Sequence, residues 1–139
     1  MKIVCPDGLL APSFANPGDA GMDLRAKEST RIWPGERALI QTGVRISIPH
    51  GTVGLVCSRS GLALKHGVFV LNAPGVIDSG YTGEIGVILY NSGDDPFDVT
   101  RGDRIAQFLV MPVLHPVLEF VTTLDATERG EGGFGSSGT

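Results

Sequence analysis

Cysteine, histidine and positive charge are scarce in this chain, and each scarcity removes a class of function. Only two cysteines, Cys5 and Cys57, occur among 139 residues, with no C-x-x-C and no Cys/His spacing. Neither a zinc site nor a disulfide framework is expected, and both cysteines read as small buried hydrophobes. The three histidines, His50, His66 and His115, show no ligand spacing either. A net charge of -4 and a pI near 5.2 argue against a basic nucleic-acid surface, so any nucleic-acid link is to a small nucleotide. No segment reaches the ~18 apolar residues of a membrane span. The apolar run near Met1 is too short for a signal peptide, and a soluble, cytoplasmic protein without membrane contact is expected.

Glycine and proline, by contrast, number twenty and nine. They are spread between apolar β-branched segments, a distribution that predicts many short strands joined by turns in one domain with a real core. Strands are expected over 2–5, 20–26, 52–57, 68–71, 84–90, 97–99 and 104–113. The alternation of Val44, Ile46 and Ile48 with Gly43, Arg45 and Ser47 predicts one half-buried strand over 37–49. A last core strand is expected over 114–121, and residues 6–19 read as loop. From Thr122 the composition shifts to glycine and serine, which predicts a tail too poor in apolar groups to order itself.

The chain turns on residues 72–84, which read as a tight hairpin between two apolar strands. Glycines and a proline let the backbone turn back and bring its own N–H and C=O groups close to a ligand. Asp78 and Tyr81 lie inside this turn, where they serve either turn chemistry or a nucleotide. Asp23 alternates with Met22 and Leu24, so it is a carboxylate displayed on one strand face, either merely solvated or functional. A strand leading into Arg59-Ser60-Gly61 and a short helix suits an anion, because helix-start N–H groups and a guanidinium converge there. The same residues also fit an ordinary helix with Ser60 as N-cap. Gln107, in an apolar run, is on the wet face or aimed at a polar ligand. In the tail, Phe134 amid glycines and preceded by Arg129 suits either a disordered end or a lid closing on a ring and a phosphate.

Five of these stretches, in order, resemble the motifs of the trimeric dUTP nucleotidohydrolase (dUTPase) family: Ala20-Gly21-Met22-Asp23-Leu24, Arg59-Ser60-Gly61-Leu62-Ala63, residues 75–83, Arg101-Gly102-Asp103-Arg104-Ile105-Ala106-Gln107, and residues 129–136. Ser58 stands where the family usually has proline, a departure that bears on the rigidity of that corner. The resemblance implies an all-β, distorted jelly-roll β-barrel of short mixed strands with at most one short helix. It also implies a homotrimer with active sites shared between subunits. The catalytic barrel would span 1–121 and a flexible Gly-rich arm, closing over the site, 122–139.

The activity implied is hydrolysis of dUTP to dUMP and pyrophosphate by Mg²⁺-assisted attack of water on the α-phosphorus, which limits uracil in DNA and supplies dUMP for thymidylate synthesis. Asp78 would orient and deprotonate the water, and Asp23 would act on Mg²⁺ through a bound water, the ion being held mainly by the substrate phosphates. Arg59, Ser60 and Gly61 would hold the phosphate chain, with Gln107 near the α-phosphate and Arg129 and Ser136 near its outer end, and Gly135 of the tail would also bind substrate. Asn72 and the backbone of Gly75, Val76 and Ile77 would read the uracil edge, Tyr81 would pack on the deoxyribose, and Phe134 would stack on the base. Two other readings predict different residues. A dCTP deaminase needs a glutamate where this chain has Ile88, which cannot transfer a proton. A lapsed binding module would be expected to lack Asp78 or Phe134.

Overall fold

Short segments that bury every second side chain organise the protein into antiparallel sheets, seen in a computed structural model that describes residues 1–133. The strands are β1 (Lys2–Val4), β2 (Met22–Arg25), β3 (Thr30–Ile32), β4 (Arg37–Gln41), β5 (Arg45–Ser47) and β6 (Thr52–Cys57), followed by the helix α1 (Ser60–His66). After it come β7 (Val68–Val70), β8 (Gly75–Ile77), β9 (Gly86–Asn91), β10 (Phe97–Val99) and β11 (Arg104–Pro112). A four-stranded sheet of order β2-β11-β6-β8 packs with a three-stranded sheet β4-β9-β7, and two ribbons, β1-β5 and β3-β10, complete the distorted jelly-roll barrel. No helix among the described residues is long and apolar enough to cross a membrane.

The core lies between the sheets, where Leu24, Ile40, Val56, Val68, Val87, Leu89, Ile105 and Phe108 are all buried. Close packing leaves little room for change. A Cβ added at Gly54 would stand 2.6 Å from Phe108 Cζ. In β9, Val87, Leu89 and Asn91 point inward. Buried Asn91 donates from Nδ2 to the carbonyls of Ile32 and Asp95 at 2.9 and 2.8 Å, so its amide is satisfied. The β3-β10 ribbon carries an Arg31–Asp98 fork with bonds of 2.6 and 2.8 Å. That hydrogen bonding holds the exposed Asp98 carboxyl below its ordinary range.

Several sequence expectations are corrected. All pairings between the named strands are antiparallel, not mixed, and each joins strands that are not consecutive in the chain. The expected strand over 37–49 is split into β4 and β5. The alternation persists, but Gly43 adopts a left-handed φ of +72° and turns the chain between them. The 6–19 loop contains one 3₁₀ turn, Gly8–Leu10, capped by Asp7. Both cysteines are free and only half-buried. Residues 72–84 do not form a tight hairpin: β7 and β9 pair with each other, and the stretch between them crosses to the other sheet, where β8 adds to the edge of β6.

The expected strand over 114–121 is absent. Beyond β11 the described chain contains no further strand, and Leu114, Val117 and Phe120 are 90, 97 and 94 % exposed. Their apolar sequence was legible, but within one chain there is no surface that covers them.

Candidate active site

Three strands of the larger sheet carry polar side chains to its outer face. Gln107 of β11 pairs with Asp23 of β2 on one side and with Cys57 of β6 on the other, so the three share a face. Past Cys57 the chain turns through Ser58 into α1 and delivers Arg59. Arg59 Nε stands 3.5 Å from Asp23 Oδ1, and its Nη1 donates to the Arg104 carbonyl at 2.7 Å. Arg104 Nη1 donates to Asp23 Oδ2 at 3.1 Å.

Asp23 is therefore not a carboxylate displayed to solvent, as its alternation suggested. Two guanidiniums cover it, and it is 4 % exposed. Its charge is met within hydrogen-bonding reach, as a buried charge requires. Two guanidiniums share this one carboxylate, so their remaining N–H groups are left to meet an anion such as a phosphate. Beside it, Ser60 and Gly61 are exposed in the first turn of α1, where backbone N–H groups have no intrahelical partner. Arg59, not Ser60, is the N-cap residue, and it makes no side-chain cap bond. Gln107 is half-buried on the site face.

Ser58 takes part in a way its position alone did not reveal. Its hydroxyl accepts from the Val70 N–H at 2.9 Å and ties the Arg59 corner to β7. Ser58→Ala leaves that part-buried N–H unpartnered and is expected to cost about 1–2 kcal/mol of stability. Denaturant unfolding would measure the loss, and an unchanged midpoint would show that water takes over the bond.

The nucleoside-side candidates lie elsewhere on the chain. Asn72 sits against Gly75, where an added Cβ would stand 3.3 Å from Asn72 Nδ2, and Gly75, Val76 and Ile77 form β8. Asp78 and Tyr81 bracket the next turn, with the Tyr81 N–H donating to the Asp78 carbonyl at 3.0 Å. The Tyr81 hydroxyl donates to the Glu84 carbonyl at 2.9 Å.

Within one chain these two halves do not meet. Along β6, Gly75 pairs with Val56 and Ile77 with Gly54, so the chain reaches Asp78 while running away from Cys57 and Arg59. Asp78 is displaced from the Arg59 corner by about four residues of strand, roughly 13 Å at ~3.3 Å per residue. Arg129 donates from Nε to the Gly132 carbonyl within its own turn. Phe134, Gly135 and Ser136 lie outside the described residues. A residue to which the sequence reading gave no role is Arg104. Arg104 pairs in register with Arg25, and three residues before Gln107 a regular strand would turn it to the other face; the register shift between Arg104 and Ala106 lets it reach Asp23, and no local pattern announces that shift. Ile88, where a deaminase would need its glutamate, is an apolar residue of β9 paired with Leu39.

For a metal ion, the carboxylate beside Gln107 is Asp23; Asp98 and Asp103 also line the pocket next to Arg59 and Arg104, but Asp98 is forked to Arg31 and Asp103 accepts from the Thr100 N–H. No group of three or more His, Cys, Asp or Glu side chains with metal-ligand geometry occurs among the described residues. That set does not fit an all-protein cage. It fits a hard cation that arrives with phosphate oxygens and keeps its waters, one of which a carboxylate can hold.

Comparison with known proteins agrees with this geometry. The family model for dUTPase matches residues 9–138. A deoxyuridine 5'-triphosphate nucleotidohydrolase of Cutibacterium acnes is 52 % identical over 128 residues, covering 91 % of this chain and 84 % of the relative. The Clostridium tetani protein of the same name is 49 % identical, covering 99 and 94 %. Among solved structures, the dUTPase of Staphylococcus bacteriophage 80alpha with dUPNHPP superposes with a TM-score of 0.91 at 31 % identity, covering 99 % of this chain and 98 % of the other. A mutant dUTPase of the S. aureus phage phi11, described as coordinating a structural Mg(II) ion, has a TM-score of 0.80 at 27 % identity over 88 and 96 % of the two chains.

Proposed function

This chain belongs to the dUTPase family, and from that premise we infer how its own residues hydrolyse dUTP to dUMP and pyrophosphate. The observation that carries the reading is the Arg59–Asp23–Arg104 cluster beside Gln107, which holds two guanidiniums in place on a sheet face. Arg59 and the N–H groups of Ser60 and Gly61 hold the phosphate chain, and Gln107 donates to the α-phosphate. Asp78 accepts the proton of a water whose oxygen bonds to the α-phosphorus while the bond to the bridging oxygen breaks and pyrophosphate leaves. Asp23 would hold Mg²⁺ through a water, and the ion would offset negative charge on the triphosphate. The residues so placed supply position and electrostatics, the two main requirements of phosphoryl chemistry.

Asn72 and the backbone of Gly75, Val76 and Ile77 hydrogen-bond the uracil edge. The narrow stretch has no room for a thymine methyl, and a cytosine amino group would set a donor against a donor. Tyr81 packs on the deoxyribose and excludes a 2'-hydroxyl. Arg129, Gly135 and Ser136 close on the outer phosphates, and Phe134 stacks on the base.

The functional unit in this reading is a homotrimer. Asp78 cannot reach the Arg59 corner of its own chain, so a complete site takes the two halves from different subunits. Six apolar side chains from Leu114 to Leu124 are exposed, which is also what an arm crossing to a neighbour presents. Residues 122–139 then continue as the arm that covers the site.

Pyrophosphate release from dUTP, dCTP, dTTP and UTP, measured in parallel with Mg²⁺ and with a chelator, tests the whole reading. Fast release from dUTP alone, lost on chelation, is expected. Ammonia release from dCTP would instead support a deaminase, and dUTP binding without turnover a lapsed module.

A further inference from the structure

The pocket beside Arg59 and Arg104 has a volume of about 360 Å³, and two carboxylates, Asp98 and Asp103, line it as well. A third carboxylate, Asp23, pairs with both arginines. The Asp103 oxygen accepts from the Thr100 N–H, a bond that fixes the group and leaves its charge whole. With His66 of the lining counted as neutral, three negative charges stand against two positive ones. A pocket so composed repels a triphosphate. The charge that restores the balance comes from Arg31, which lies outside the lining.

Register brings Arg31 there. β3 and β10 pair antiparallel with Arg31 directly opposite Asp98, so the two side chains leave the ribbon on the same face. Arg31 Nε donates to Asp98 Oδ1 at 2.6 Å and Nη2 to Oδ2 at 2.8 Å, so both carboxylate oxygens are engaged by one guanidinium. The same guanidinium stands 5.8 Å from the centre of the Trp33 ring, which holds it from a second side. The two side chains are 53 and 61 % exposed, so the pair adds little to stability. Its effect is on the field in the pocket, where it turns Asp98 from a free anion into half of a neutral pair.

We propose that Arg31 is a positioning residue for phosphate binding: by neutralising Asp98, it keeps the pocket beside Arg59 and Arg104 open to the anionic end of the substrate. The proposal rests on the reading that the phosphate chain lies at the Arg59 corner. Arg31 acts there only through Asp98.

The test compares Arg31→Ala, Asp98→Asn and the double variant with wild type, through calorimetric titration of a non-hydrolysable dUTP analogue and through inhibition of turnover by deoxyuridine. In about 10 mM salt the Debye length is ~30 Å, so one charge is felt across the whole pocket. There Arg31→Ala is expected to weaken the analogue about threefold, since it frees the Asp98 charge, and Asp98→Asn to tighten it about twofold, since it frees the more distant Arg31 charge. The double variant removes both charges and is expected to bind within about 1.5-fold of wild type. Deoxyuridine carries no phosphate and is expected to inhibit all four proteins alike. In about 1 M salt, where the Debye length is ~3 Å, the differences in analogue affinity are expected to vanish.

If Arg31 only held the β3–β10 ribbon together, both single variants would weaken binding, deoxyuridine included, and the second substitution would not rescue the first. That result overturns the proposal, as does an analogue affinity that Arg31→Ala leaves unmoved at low salt. Arg59→Ala tests the underlying reading separately. If it weakens the analogue while Arg31→Ala does not, the phosphate site stands and the role of Arg31 falls; if Arg59→Ala leaves the affinity at the wild-type value, the phosphates do not lie at this corner and both readings fall.

Discussion

Asp78→Asn is expected to lower kcat for dUTP by about a thousandfold or more, within the range that a positioned general base supplies, while the affinity for a non-hydrolysable analogue stays near wild type. The substitution is nearly isosteric and removes only the capacity to take a proton. It does not disturb the turn, because the bond that closes it runs from the Tyr81 N–H to the backbone carbonyl of residue 78, not to its side chain. Ile77 stays paired with Gly54 and Gly75 with Val56, so the uracil-reading backbone is held as before. Single-turnover pyrophosphate release together with calorimetric binding separates the two quantities. Turnover within tenfold of wild type would remove Asp78 from the role of base.

The second large effect concerns the separation of the two half-sites. Arg59→Ala removes the guanidinium fork from the phosphate corner and is expected to cost at least about a hundredfold in kcat/KM, as a lost charge-assisted contact to a developing charge does. It also leaves the buried Asp23 carboxylate with Arg104 as its partner. Neither this variant nor Asp78→Asn should turn over appreciably alone. Unfolded together in equal amounts and refolded, however, they are expected to regain about a quarter of wild-type activity, because a site drawing Asp78 from one chain and Arg59 from another is intact in about one arrangement in four. The effect is a rise from background to a readily measured rate. No recovery, despite mixed oligomers demonstrated by mass, would mean that Asp78 and Arg59 serve the same chain's site.

Much of the local structure could be read from residues. Alternation marked β9, the strand of Val44, Ile46 and Ile48, and the apolar run of β11, because a side chain every second residue must face either core or water. Polar residues marked the candidate site: Asp23 on β2, Arg59 at the start of α1 and Gln107 on β11 do converge. The short strands β3 and β8 were missed. β8 is only Gly75-Val76-Ile77, too short for periodicity to register, and it exists because β6 offers an unpaired edge. The break at Gly43 was hidden because the inward-facing pattern runs across it.

Residues 114–121 show the opposite kind of miss. Their apolar content reads as a core strand, yet Leu114, Val117 and Phe120 are almost wholly exposed. The sequence does not say whose surface is to cover them.

By itself, then, the sequence determined the family, the all-β class and the residue types available for the chemistry, because motifs and alternation are local properties of a chain. The tertiary structure decided what those residues do to one another. It buried Asp23 under two arginines, tied Ser58 to Val70 and Arg31 to Asp98, and set Asp78 at the far end of β6 from Arg59. Those facts depend on strand register, which pairs residues distant in sequence and which the edge of one sheet, not any local pattern, selects.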